Sequence, residues 1–183
     1  MTTTFNKPKN VHDFLQNLSV PEIKDYCKLK TINASVLMTG TEGDFNFGTV
    51  VRNANFFGFK EVFYIGKKSF DKRAAVGANH YTPITYFKDI EGFIDYHMHY
   101  NEPYQLIALE NNVNFPMESI YTFEWPSNPL IVIGEEKNGI PEKLLTYCNK
   151  IVTIPTEGCI RSLNAGTASG IAMALIRQNI NKT

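Results

Sequence analysis

The sequence predicts an α/β fold, a mainly parallel sheet flanked by helices. Short apolar runs rich in β-branched residues stop abruptly at polar or glycine-bearing loops, as strands buried on both faces do. Between them lie stretches with apolar residues three and four apart, the spacing of amphipathic helices. The two patterns alternate along the chain, which selects helices packed on a parallel sheet. A length of 183 residues suits one domain with a substantial core.

Residues 11–32 read as two short helices, the second opened by Ser19, Pro21 and Glu22 in a capping-box arrangement before Ile23 and Tyr26. We take 1–34 as a short helical extension and 35–183 as the main domain. The run SVLMT predicts a strand over 35–39, followed by a polar loop over 40–44. From Asn46, the stretch NFGTVVRNANFFGF sets Phe47, Val50, Val51, Ala54 and Phe57 on one helical face. Arg52 falls opposite that face, where an arginine is ordinarily just solvated. With Asn46 it is also a candidate site residue, because the helix follows a strand and a glycine loop.

A strand over 61–65 comes next. The GKKS after it does not make a phosphate loop, since Glu61 stands where the first glycine is required and Lys68 where a magnesium-binding hydroxyl belongs. The GxGxxG dinucleotide pattern is also missing. Residues 71–79 read as a short helix or loop, 84–87 as a strand, Ile90, Phe93 and Ile94 as a helix, and 105–109 as a further strand.

The stretch 130–174 is the organising one. A buried strand over 130–133 ends in Gly134, Glu135 and Glu136, and Ile140 with Pro141 opens a short helix whose inner side is Leu144, Leu145 and Cys148. A strand over 151–154 runs into Pro155 and a loop carrying Gly158. Ser162 or Asn164 then caps a helix with the stripe Ala168, Ile171, Ala172, Leu175 and Ile176. That helix opens with small residues from Ala165 to Gly170, which suit either tight helix packing or the approach of a flat ligand. The pattern alone leaves both open.

Composition narrows the class. Lysine plus arginine equal aspartate plus glutamate at 18 each, so a strongly basic signature is absent, although a local basic patch is compatible with that balance. Cys27, Cys148 and Cys159 form no CxxC pair and fit a reducing compartment. His97 and His99 give no metal-ligand spacing, and no metal is expected. No signal peptide and no membrane-length apolar run is legible, which suggests a cytoplasmic protein.

Three ordered blocks carry a family resemblance. They are Asn46, Gly48 and Arg52 in N-x-G-x-x-x-R, then Gly134, Glu135 and Gly139 in IGEEKNGIP, then IPTEG followed by RSLNAGTASGIAMA with Ser162, Leu163 and Asn164. Across about 35–178 the chain resembles the SpoU (TrmH-type) RNA ribose 2'-O-methyltransferases of the SPOUT superfamily. The resemblance implies a C-terminal trefoil knot, a homodimer whose site is completed across the interface, an RNA substrate and S-adenosylmethionine as cofactor. It assigns catalytic work to Arg52, Asn46, Glu135, Ser162 and Asn164. Cofactor binding falls to Ile133, Gly134, Gly139, Ile154, Pro155, Leu163 and Asn164. In the family the residue matching Arg52 is the proposed general base. An arginine stays protonated in proteins, so holding a substrate phosphate or stabilising the developing alkoxide are the other roles open to it.

The chain departs from the family at Ala165 and Gly166, where valine and serine are usual, at Asn53, where threonine is common, and around 174–176. The short extension favours transfer RNA over ribosomal RNA as substrate. Lys28, Lys30, Lys67, Lys68, Lys72 and Arg73 can contact phosphates or simply form a solvated face. A catalytically silent RNA-binding protein is the competing class, against which the five intact polar residues weigh. A small-molecule or protein methyltransferase is the third.

Overall fold

The computed structural model describes residues 9–40, 45–99, 103–111 and 114–180. Seven strands, β1 (Ile32–Thr39), β2 (Phe59–Ile65), β3 (Ile84–Phe87), β4 (Gln105–Leu109), β5 (Glu118–Ser119), β6 (Pro129–Ile133) and β7 (Lys150–Thr153), form one sheet. Their order is β3-β2-β1-β6-β4-β7-β5, and every pairing is parallel. The helices are α1 (Val20–Lys28), α2 (Phe45–Phe57), α3 (Ile90–Met98), α4 (Glu142–Leu145) and α5 (Ala165–Ile180). The expected parallel α/β class holds.

Alternate residues of the central strands feed two cores. Val36, Met38, Ile107, Ile131 and Ile133 face one layer with Phe47, Val50 and Val51 of α2 and Ala172, Met173 and Ile176 of α5. Leu37, Leu106, Ala108, Leu130 and Val132 face the other with Phe93 and Ile94 of α3 and Leu144 and Leu145 of α4. This double burial explains why the strands read as unbroken apolar runs rather than alternating ones. Full burial of each large side chain contributes about 1.5–3 kcal/mol.

Several strand bounds differ from expectation, β2 opening at Phe59 and β6 at Pro129 rather than at 61 and 130. β1 starts at Ile32 because that residue's N–H donates to the Gly58 carbonyl at 2.8 Å, three residues before the regular ladder resumes at Ser35. β5 was not foreseen: two polar residues at a sheet edge are too short to show a period. β7 ends at Thr153, leaving Ile154 to turn out of the sheet. Residues 71–79 are turns running into a 3-10 turn at Ala78–His80, with Val76 at φ 46° and Gly77 at φ 89°. The expected loop over 40–44 lies, except for Gly40, outside the described residues. Among the described residues no helix is long and apolar enough to cross a membrane.

The N-terminal helices form as a 3-10 turn at Asp13–Leu15 and α1. At the start of α1 the Glu22 N–H donates to the Ser19 hydroxyl, while the Ser19 N–H donates to the Glu22 carboxylate at 2.7 Å. Those bonds from the Ser19 hydroxyl and backbone hold the Glu22 carboxyl below its ordinary pKa. A depressed carboxyl stabilises the fold above its unfolded pKa and loses that contribution as pH falls through the folded value. Ser19→Ala is expected to cost about 1 kcal/mol at neutral pH. Thermal melts of wild type and Glu22→Gln converge as pH drops below the carboxylate range.

Candidate functional site

Three loops at the C-terminal ends of β4, β6 and β7 meet around one cleft of about 430 Å³. Parallel strands place ligand-binding loops at this edge, where the peptide ends and helix starts are free of the ladder. Leu109, Ile133 and Ile154 supply apolar lining as the last side chains of their strands or the first beyond them. Glu110, Asn111, Arg161 and Ser162 supply polar lining.

The β6 loop, 134–140, is folded tightly on itself. The Gly139 N–H donates to the Glu135 carbonyl at 3.0 Å, and Gly139 takes φ +67°, which an L side chain resists. Gly134 is buried, and a Cβ on it would lie 2.1 Å from the Gly139 carbonyl carbon and 2.4 Å from the Ile140 nitrogen. Backbone therefore touches backbone across the loop. The Asn138 amide donates to the Glu135 carboxylate. Glu110 braces the other side, one oxygen accepting from the Ile140 N–H at 3.0 Å and the other from the Asn111 N–H at 2.8 Å.

Asn164 resolves the cap of α5. Its side-chain oxygen accepts from the Thr167 N–H at 3.2 Å, whereas Ser162 lines the cleft. The Asn164 amide also donates to the Asn46 side-chain oxygen at 2.8 Å, and the Asn46 amide donates to the Glu136 carboxylate at 2.9 Å. This run of three side chains ties the start of α5 to the start of α2 and to the β6 loop.

The small residues opening α5 serve packing as well as the cleft. A Cβ on Gly166 would lie 2.7 Å from the Thr49 methyl, so α2 and α5 cross at close range. Asn53 uses that approach: its amide donates to the Gly166 carbonyl at 2.9 Å and to the Ser169 hydroxyl at 3.0 Å. Two departures from the family pattern, Asn53 and Gly166, are thus joined by one hydrogen bond. Ala165 and Ala168 meanwhile line the cleft, so the stretch both packs on α2 and faces that space.

The structure brings Ile133, Gly134, Glu135, Gly139, Ile154, Ser162 and Leu163 together on the cleft, with Asn46 and Asn164 joined beside it. Pro155 is exposed and outside the lining. Arg52 also lies outside it. On α2 it stands six residues beyond Asn46, about 9 Å along the axis and about 120° around it. Its guanidinium is exposed on a different face and borders a second groove.

Sequence reasoning missed Glu110, Asn111, Glu136 and Asn53. Glu110 and Asn111 follow directly on the last apolar residue of a buried strand, which is a usable signal; the partners of Glu136 and Asn53 are distant in sequence. We expect Glu110→Ala to weaken cofactor binding about tenfold by releasing the Ile140 N–H, a change of about 1.4 kcal/mol. Calorimetric titration checks it.

The residues present fit S-adenosylmethionine. The volume falls within the range of about 300–1,000 Å³ usual for small-ligand sites. Apolar strand ends offer contact to a flat adenine, and the carboxylates of Glu110 and Glu135 line the same cleft for hydroxyl or cationic groups.

Known proteins agree with this architecture. The chain is 24% identical over 151 residues to a 23S rRNA (guanosine-2'-O-)-methyltransferase of Coxiella burnetii, covering 80% of this chain and 58% of that one. It spans less than two thirds of the curated relatives it matches. Its fold matches an AdoMet-bound rRNA methyltransferase from Sinorhizobium meliloti with a TM-score of 0.71 at 23% identity, over 86% of this chain and 60% of the other. It matches the A. aeolicus TrmH/SpoU tRNA modifying enzyme at 0.75 and 17% identity, over 89% and 83%. The sequence profile of the SpoU rRNA Methylase family spans residues 33–174, from β1 through the cleft loops to the middle of α5, and the chain belongs to that family.

Proposed function

We propose that this protein is an RNA ribose 2'-O-methyltransferase using S-adenosylmethionine. One observation carries the reading: in a member of the SpoU family, the three strand-end loops form a ligand-sized cleft closed by the Asn164–Asn46–Glu136 link. The cofactor supplies an electrophilic methyl group on a sulfonium. Ile133, Ile154 and Leu163 hold its flat part, and the braced 134–140 loop presents backbone groups to it. The remaining work is alignment of the ribose 2'-hydroxyl and removal of its proton.

Arg52 fits this reading only through a second copy. Within one chain it lies outside the lining of the cleft, and Phe45, Ile160 and Leu163 are exposed apolar side chains that a second copy can cover. In a homodimer the partner's cleft receives Arg52, whose fixed charge holds a phosphate or the developing alkoxide. The trefoil knot belongs to the same reading, supported by the insertion of β6 between β1 and β4 and by the return of α5 across α2. Transfer RNA is taken as the favoured substrate, one of the two RNA classes that the relatives' names carry. Three free cysteines accord with a cytoplasmic site of action.

The test is transfer of labelled methyl from S-adenosylmethionine into unmodified transfer RNA and ribosomal RNA. Label on a ribose 2'-oxygen of one RNA class supports the reading. Cofactor binding without label in either RNA points instead to a missing partner or another acceptor, and absent cofactor binding to the silent RNA-binding protein.

A further inference from the structure

We infer that the N-terminal segment builds, with α2 and β2, a groove that seats an unpaired stretch of the substrate RNA beside Arg52. This rests on the reading of the protein as an RNA methyltransferase.

The segment is a built part of the structure. The Gln16 amide donates to the carbonyls of Lys9 at 2.7 Å and Val11 at 3.0 Å, and Leu15 and Ile23 are buried against Tyr81. Between it and the body runs a groove of about 1330 Å³, roughly three times the strand-end cleft. Its lining carries six basic side chains, Lys24, Lys28, Lys30, Arg52, Lys60 and Arg177, against the carboxylates of Asp13 and Glu61. The chain as a whole is neutral, so this excess of cations is local. A phosphate backbone is the chemistry that such a surface complements.

Aromatic rings single out unpaired bases. His12 stacks on Phe14 at 5.6 Å between centroids with planes 8° apart, and Phe14 meets Tyr26 edge-on at 5.6 Å. His12, Tyr26 and Phe56 line the groove, Phe56 at 81% exposure, while Phe14, 65% exposed, stands outside the lining against the first two. Lys30 lies over the Tyr26 ring at 5.9 Å. Exposed rings interleaved with lysines are the composition of single-strand sites, where bases stack and phosphates pair with cations. A duplex hides its base faces and gains nothing from these rings. Because Arg52 lines the same groove, a strand lying there delivers its ribose to the residue proposed for the reaction, and the groove sets which nucleotide arrives.

The experiment measures binding of a fluorescent unstructured oligouridylate and of an unmodified transfer RNA across a salt series. Wild type is compared with Phe56→Ala and with Lys24→Ala, Lys28→Ala and Lys30→Ala combined, with cofactor affinity as the folding control. Phe56→Ala is expected to weaken oligonucleotide binding about fivefold or more. The triple variant is expected to lower the salt slope by about 2, at about 0.7 for each phosphate no longer neutralised on a single strand. Cofactor affinity stays at the wild-type value in both. Unchanged RNA affinity and slope in the two variants, with wild-type methyl transfer intact, overturn the groove alone. Loss of binding accompanied by dissociation of a dimer in sedimentation overturns it in favour of a second copy as occupant. A wild type that binds neither RNA overturns the methyltransferase reading as well.

Discussion

Gly134→Ala is expected to abolish cofactor binding while leaving the sheet folded. The added methyl would lie 2.1 Å from one backbone atom and 2.4 Å from another, and neither can swing aside as a side chain would. The 134–140 loop must open by roughly 1 Å or more to admit it, given the overpacking such an insertion brings. That breaks the Gly139-to-Glu135 bond and draws Ile140 off Glu110. The damage stays at the strand end because Ile131 and Val132 are held by β1 and β4 on both sides. Affinity should fall by about a hundredfold or more, since overpacking of this kind costs about 1–3 kcal/mol and the loop's own bonds are broken besides. Isothermal titration with S-adenosylmethionine, alongside a circular dichroism melt, checks both halves. A variant that binds normally would show that the loop is far more pliable than its packing suggests.

The second large effect belongs to Arg52. Arg52→Lys is expected to lose most methyl transfer, about a hundredfold or more, because lysine keeps the charge but not the planar fork. The exposed side chain adds nothing to the core, so the melting temperature should stay put. The informative measurement mixes two inactive chains, Arg52→Ala with Gly134→Ala. If Arg52 serves the partner's cleft, a heterodimer contains one intact pairing and recovers activity. If Arg52 serves its own cleft, no combination of those chains does. Near-normal rates in Arg52→Lys would rule out every role given to its fork.

Much of this was legible in the sequence because strands buried on both faces announce themselves by composition alone. β3 and β4 appear at the expected positions, and the Ser19 capping box appears with its partner. The cleft was legible for a different reason: its residues sit directly after apolar runs, where a parallel sheet must put its loops. What stayed hidden was pairing between distant residues. Asn53 looked like a departure until its amide was seen on the Gly166 carbonyl, and Glu136 was one carboxylate among several until Asn46 reached it. Arg52 is a different case. It shares a motif with Asn46, and helical geometry sets the two on different faces within a chain.

The placement of β6 also has a consequence for how the chain reaches this state. β6 fills the gap between β1 and β4, pairing Ser35 with Leu130 and Ile107 with Ile131. Until residue 133 has left the ribosome, β1, β2 and β3 can pair only with one another, β4 has neither central neighbour, and β1 carries an open, largely apolar edge. Pairings of such long sequence separation make folding slow and leave intermediates prone to association. Expression at reduced temperature, or with chaperones that shield strand edges, should raise soluble yield far more than it does for proteins whose sheets grow outward in chain order.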